Sequence, residues 1–360
     1  MATAKGLAAL AASAALTAGS ILTAIAATAP STPEQPAVRE KILQLLEEGA
    51  LYRDRIDWPE ARQQLKHASG SAEADKILDQ LIARSTGNHG RWIRASAMSS
   101  PSGRMQRIAS AEQLQRPHEE SAAAGRKRES TKESDPIGWI AIPTFKENST
   151  APSTVREQQQ LTFALQLQSQ LQMEDAHDRC GWIVDLRQNQ GGNMWPMLLG
   201  LAPLLAKNPN GKEVIGAFHL GATHQAWSLQ PGRVLIENRT RLELNSPPYV
   251  LRRPAPPVAV LIGNRTASSG EMVTLAFRGR PTARSFGQET AGFSTANTPV
   301  PLPDGSVLLL TGAVAVDRNL KGDGGKLQPD VSVSNEADAE QTARNWLLGQ
   351  PQCRAMASNR

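Results

Sequence analysis

Three hydroxyl side chains fall within four positions of "NRTASSGEMVTLAFRGR", at Thr266, Ser268 and Ser269. The apolar run before them, "PPVAVLIG" at 256 to 263, reads as a buried strand, and the residues from Ser269 onward read as a helix. A chain leaving the carboxyl end of such a strand for a helix places its turn in the crevice where α/β proteins bind ligands. A helix N-terminus there favours negative charge, and its free N–H groups can hydrogen-bond an oxyanion. Capping accounts for one Ser or Thr at this point. It does not account for three, so a nucleophile stands beside capping as the second reading. Glu271, in the first turn of the helix, reads as a structural or capping carboxylate.

A second stretch, "DLRQNQGGNMW" at 185 to 195, has the same grammar of strand, turn and helix. Gly191 and Gly192 permit backbone geometry closed to other residues, so their N–H groups can point into the crevice. Donors shared between this turn and the serine turn would hold a tetrahedral intermediate, each worth about a hundred- to a thousand-fold in rate. An ordinary tight turn is the alternative reading of the glycine pair alone.

Stepping outward, the elements that must position these turns alternate between strand and helix. "IGWIAIPTF" (137 to 145) and "CGWIVDL" (180 to 186) read as strands. Val155 to Met173 reads as a helix with Leu161, Ala164, Leu165 and Leu171 on one face, and "NMWPMLLGLAPLLAK" (193 to 207) as one buried helix. Such alternation implies parallel pairing in an α/β core. "TPVPLPDGSVLLLTGAVAV" carries Asp304-Gly305 between alternating apolar positions, a hairpin signal. Upstream, residues 38 to 98 read as a helical cap of about three helices, with Asp57 as an N-cap and Pro59 in a first turn.

Taken together, "CGWIVDLRQNQGG", "PPVAVLIGNRTASSGE", "RSFGQETAGFSTAN" and "LPDGSVLLLTGAVAVDR" resemble the core of tail-specific, or C-terminal-processing, serine peptidases. That superfamily includes the tricorn core protease and the interphotoreceptor retinoid-binding protein. The resemblance covers about residues 137 to 335 and rests on the order and spacing of several motifs. It implies a crotonase- or ClpP-like α/β core, with the nucleophile of the Thr-Ala-Ser signature at Ser268. The oxyanion donors it implies are the N–H of Ser269 and one from the pair Gly191 and Gly192, with Gly192 the better placed.

The processing branch supplies its base from a lysine in "G-x-x-T-x-G-K". Here the stretch is "GQETAGFST", with Phe293 at the lysine position. The tricorn-like branch uses a histidine from upstream of the core, and "STGNHGRW" (85 to 92) resembles its "G-D-N-H-S" stretch, which makes His89 the candidate general base. An imidazole suits that task because its ordinary pKa lies near neutrality. Asp317, directly after a strand, is the first candidate for the acid that orients it, with Asp323 as the alternative. Family members often carry a glutamate where this chain has Gln328.

These readings describe a serine peptidase that cleaves peptides or unfolded protein ends through an acyl-enzyme. A catalytically inactive peptide- or ligand-binding protein on the same fold is the rival. Lys5 followed by the alanine-rich stretch to Ala27 reads as a secretory leader, cleaved after Ala26 or Ala27, with a membrane anchor as the competing reading. The expected location is therefore the periplasm or the exterior, without stable membrane insertion after cleavage. The full division is a leader (1 to 27), linker (28 to 37), cap (38 to 98), flexible connector (99 to 136), catalytic core (137 to 335), and a C-terminal helix and tail (336 to 360).

The two cysteines, Cys180 and Cys353, exclude a disulfide scaffold or zinc ribbon; they either pair or, for Cys180, lie simply buried. A net charge of +5 without a basic, aromatic-interleaved stripe argues against nucleic acid as a partner. No H-E-x-x-H, Walker or Rossmann pattern is present, so no metal or cofactor is implied. Nor is there a G-x-S-x-G elbow of the α/β-hydrolase kind.

Overall fold

The computed structural model describes residues 35–96, 134–147, 151–208 and 210–358. The expected leader and most of the expected connector lie outside the described residues. Among the described residues no helix is long and apolar enough to cross a membrane.

The helical cap comprises α1 (Gln35–Gly49), α2 (Trp58–Lys66) and α3 (Ser71–Thr86), followed by strand β1 (Arg91–Ile93). Helix α1 already runs through the tail of the expected linker, since a proline in a first turn sacrifices no hydrogen bond. Asp57 caps α2, its Oδ1 accepting the N–H of Glu60 at 3.0 Å.

The core begins with β2 (Ile137–Ala141), α4 (Ser153–Asp175), β3 (Gly181–Asp185), α5 (Met194–Gly200) and α6 (Ala202–Leu205). An antiparallel meander follows: β4 (Glu213–Leu220), β5 (Thr223–Gln230), β6 (Arg233–Ile236) and β7 (Arg239–Glu243). Then come β8 (Val258–Ile262), α7 (Ser269–Phe277), β9 (Ala283–Gly287), β10 (Thr295–Pro301), β11 (Val307–Val316), β12 (Val331–Ser332), α8 (Glu336–Leu348) and α9 (Pro351–Ser358).

Two sheets result. One is parallel, in the order β12-β9-β8-β3-β2; the other is antiparallel, in the order β1-β11-β4-β5-β6-β7 with β10 on β11. The central strands β3 and β8 are apolar at nearly every position because both faces are covered. Trp182, Val184, Val258 and Val260 face Phe163, Leu167 and Leu275 of α4 and α7. The alternate residues Ile183, Ala259 and Leu261 face Ala343 and Leu347 of α8. Each fully buried Val or Leu contributes about 1.5–3 kcal/mol. This core holds the carboxyl ends of β3 and β8 side by side.

The cap shares its own core with the β10–β11 hairpin: Ile42, Leu46, Leu78 and Ile82 meet Trp92, Leu302 and Leu308. Asp304-Gly305 forms the hairpin turn, with Gly305 at φ 79. Cys180 and Cys353 are joined by a disulfide across 173 residues, tying α9 to the head of β3.

Two local expectations change, and one feature is added. Residues 193 to 207 form two short helices, because Pro203 cannot donate to the carbonyl of Leu199 and breaks the run. Leu165 is exposed, and Phe163 and Leu167 take the buried positions on α4. The β4–β7 meander is an additional feature of the fold, turning at Gly221, Pro231-Gly232 and Glu237-Asn238.

Candidate active site

The turn from β8 into α7 is held from several sides. Thr266 donates from Oγ1 to the Leu186 carbonyl at 2.9 Å and accepts the Gly263 N–H at 3.0 Å, lacing the ends of β3 and β8 together. Ala267 donates its N–H to the Asn189 carbonyl at 2.9 Å. Ser268 sits at φ 52, ψ −116. A non-glycine residue in so sparse a region costs about 1–3 kcal/mol and persists only where its surroundings over-determine it.

Glu271 supplies that constraint. Its carboxylate accepts the N–H of Ser268 at 2.7 Å, the Thr290 hydroxyl at 2.5 Å, and the N–H groups of Gly292 and Phe293 at 3.0 and 2.8 Å. Burial pushes this carboxyl above its ordinary range, against the opposite pull of the four donors. The structural role expected for Glu271 is thus a specific one. It ties the serine turn to residues 290–293.

The glycine turn packs directly on the serine turn. Gly191 has φ 99, and a Cβ there would lie 2.8 Å from the Ser268 Cβ. Gly192 has φ 112, and a Cβ there would lie 1.7 Å from the Phe145 carbonyl oxygen. Only glycine fits at either position. Ser269 donates its hydroxyl to the Gly192 carbonyl at 2.5 Å, closing the two turns on each other.

The N–H groups of Gly192 and Ser269 carry no hydrogen bond to other described residues. Gly191 differs from expectation: its N–H is taken by Asn189 Oδ1 at 2.9 Å, so it is not a free oxyanion donor. What Gly191 provides is the close approach of the two turns.

His89 arrives from the cap, in the turn between α3 and β1. Gly90 donates its N–H to Thr86 Oγ1 at 3.0 Å, and Asn297 Nδ2 donates to the His89 carbonyl at 3.1 Å. The imidazole Nε2 lies 3.1 Å from Ser268 Oγ, between residues 179 apart in sequence. Its Nδ1 lies 2.6 Å from Thr295 Oγ1, and the Phe293 ring packs on it at 5.2 Å between centroids. Burial first, and the Arg91 guanidinium second, lower this imidazole from 6.5 to about 4. It is therefore neutral at physiological pH.

Asp317 does not orient His89, contrary to expectation. Its Oδ1 accepts the N–H groups of Asn319 and Lys321 at 2.8 and 3.0 Å, closing the turn that follows β11. It lines a cleft of about 670 Å³ with Arg284, Lys321 and Asp330, and neither Ser268 nor His89 lines that cleft. Asp323 accepts the Gly325 N–H, and Gln328 donates to Glu289. The group on His89 Nδ1 is a hydroxyl, Thr295, which lies within the "RSFGQETAGFSTAN" stretch but is given no role by that likeness. Asn189 also carried no chemical signature, although its side chain and carbonyl join both turns. Among the described residues no group of three or more His, Cys, Asp or Glu could hold a metal ion.

Comparison with known proteins agrees with this architecture. Residues 136–333, more than half of the chain, match peptidase family S41, and the chain belongs to that family. It is 34% identical over 214 residues to the nisin-resistance protein of Lactococcus lactis subsp. lactis, covering 59% of this chain and 60% of that relative. The match therefore spans about three fifths of the relative's length. A lipoprotein from Streptococcus agalactiae superposes with a TM-score of 0.63 at 24% identity, covering 88% of this chain and 96% of that one. The photosystem II D1 C-terminal processing protease superposes with a TM-score of 0.53 at 13% identity, over 89% and 99% of the two chains. These two likenesses are of fold. The family assigns the chain to the peptidases, and hence to the hydrolases.

Proposed function

We propose that the chain is a serine peptidase in which Ser268 is the nucleophile and His89 the general base. The observation that carries this reading is the 3.1 Å approach of Ser268 Oγ to the neutral His89 imidazole. A serine hydroxyl is a weak nucleophile until a neighbour removes its proton. In the first step the Ser268 oxygen bonds to the peptide carbonyl carbon while its proton passes to His89 Nε2. The oxyanion so formed accepts from the N–H groups of Gly192 and Ser269, both without another partner among the described residues. Collapse breaks the C–N bond, and the amine leaves with the proton from Nε2. Water, deprotonated by the same imidazole, then hydrolyses the acyl-enzyme and restores the serine.

Extended peptides or unfolded protein ends are the substrates proposed for this site. Nisin, the peptide for which the lactococcal relative is named, is the first to assay. Export is part of the same reading. It is supported by the alanine-rich N-terminal segment and by the Cys180–Cys353 disulfide, a bond suited to an oxidising compartment.

The test is chemical. A fluorophosphonate should label Ser268, and Ser268→Ala should remove both labelling and peptide hydrolysis while the protein stays folded. Undiminished hydrolysis by the variant would refute the assignment.

A further inference from the structure

We propose that Phe293 and Thr295 act as a two-point clamp that positions His89, in the role that a carboxylate fills in an acid–base triad. This rests on the assignment of Ser268 and His89 made above. The two residues are separated by one position on the segment entering β10, and they grip the imidazole differently. Thr295 Oγ1 stands 2.6 Å from Nδ1, and the Phe293 ring lies against the imidazole at 5.2 Å, tilted 35°.

A clamp must be stiffer than what it holds, and this one is anchored on both sides. Phe293 and Gly292 donate their N–H groups to Glu271, the carboxylate that also holds the Ser268 N–H. One side chain therefore references the nucleophile and the clamp to each other. Ser294 donates from Oγ to the Gly325 carbonyl at 2.6 Å and accepts the Ala315 N–H at 2.9 Å. Thr295 is 3% exposed and pairs with Val314 across the hairpin. Its β-branched side chain has little rotamer freedom to lose.

The chemistry follows from which atom carries the proton. With Nδ1–H donating to Thr295 Oγ1, the Nε2 lone pair faces Ser268, the tautomer a general base requires. When Nε2 takes the serine proton, Nδ1 keeps its own and Thr295 keeps its hydroxyl hydrogen; no proton moves to the clamp. A hydroxyl offers the imidazolium a dipole where a carboxylate would offer a full charge, so the base stays weakly basic.

The charged surroundings agree. Arg91 on β1 opposes protonation, Glu271 is occupied by its four donors, and Lys326 beside Gly292 is paired with Glu289. Among the described residues no carboxylate is hydrogen-bonded to His89. Phe293 thus stands at the family's lysine position and shields a histidine there.

The test compares Thr295→Val, Thr295→Ser, Thr295→Asp and Phe293→Ala by peptide kinetics across pH, fluorophosphonate labelling and thermal melting. Thr295→Val, close in shape but without the hydroxyl, should lose roughly ten- to a hundred-fold in kcat with KM little changed. Thr295→Ser should recover most of that loss. Thr295→Asp and Phe293→Ala should each move the acid limb of kcat/KM to higher pH, the first by adding a counter-charge and the second by admitting water. Wild-type kcat in Thr295→Val together with an unmoved acid limb in Phe293→Ala, while Ser268 still labels, would overturn the clamp and leave the peptidase assignment standing. A wild-type enzyme whose Ser268 does not label would overturn both.

Discussion

The carbonyl of Asn189 accepts the N–H of Ala267 at 2.9 Å, joining the glycine turn to the serine turn through one buried residue. Its side chain continues the work. Nδ2 donates to the carbonyls of Ile142 and Pro143 at 3.1 and 3.2 Å, and Oδ1 accepts the Gly191 N–H. Asn189→Ala strands these buried groups, at about 1–3 kcal/mol each. A denaturant titration should show a loss of roughly 3 kcal/mol or more. Labelling of Ser268 should slow as well, because the two turns lose their common reference.

With His89 as the proposed base, its imidazole should set the acid limit of activity. Its value of about 4 in the folded chain lies below the ordinary 6.5, so the base stays unprotonated until the pH approaches 4. The acid limb of kcat/KM should therefore fall near pH 4. The same shift bears on stability. Between pH 6.5 and about 4 the unfolded chain binds more protons at this group than the folded one. Its contribution is thus complete above pH 6.5 and is lost as the pH falls towards 4. Arg91→Gln removes the smaller of the two causes and should raise the acid limb slightly, an effect that added salt should mimic because Arg91 is exposed.

Asp317→Ala separates the acid suggested by the motifs from the hydroxyl found in the structure. The variant should lose about 1–2 kcal/mol of stability as two backbone donors go unpaired. Its kcat/KM should stay within about twofold of wild type, since substitutions away from the reacting groups leave transition-state binding unchanged. A thousand-fold fall in a folded protein would return Asp317 to the catalytic machinery.

Replacing Cys180 and Cys353 together with alanine should lower stability by about 2–5 kcal/mol, because the bond closes a long loop. Thermal melts with and without a reductant give the same comparison. The wild-type melt should fall with reductant, and that of the double variant should not move.

The turns at 185–195 and 263–269 were legible in the sequence because each is local: an apolar strand, small or hydroxyl residues, then a helix. The helical cap and the Asp304-Gly305 hairpin were legible for the same reason. Thr295 was not, because its contact with His89 depends on how the hairpin docks against a turn 206 residues away. Asn189 was hidden by type, since a buried amide looks like any turn residue until its partners are placed. The β4–β7 meander had its turn residues in plain view, but its strands mix exposed charges with apolar positions and lack the dense apolar runs of β3 and β8. For the glycine pair the resemblance favoured Gly192 but left Gly191 open as a donor, and only placement of the Asn189 side chain on the Gly191 N–H removes it.

His89 belongs to a turn whose apolar support is the cluster around Ile42, Leu78 and Leu308, whereas Ser268 stands on the cluster around Val260, Met272 and Leu275. On the proposed assignment neither cluster alone contains the catalyst, so in a chain with only its larger half consolidated Ser268 would lack its base. Proteolytic competence would then report on the docking of the two clusters against each other.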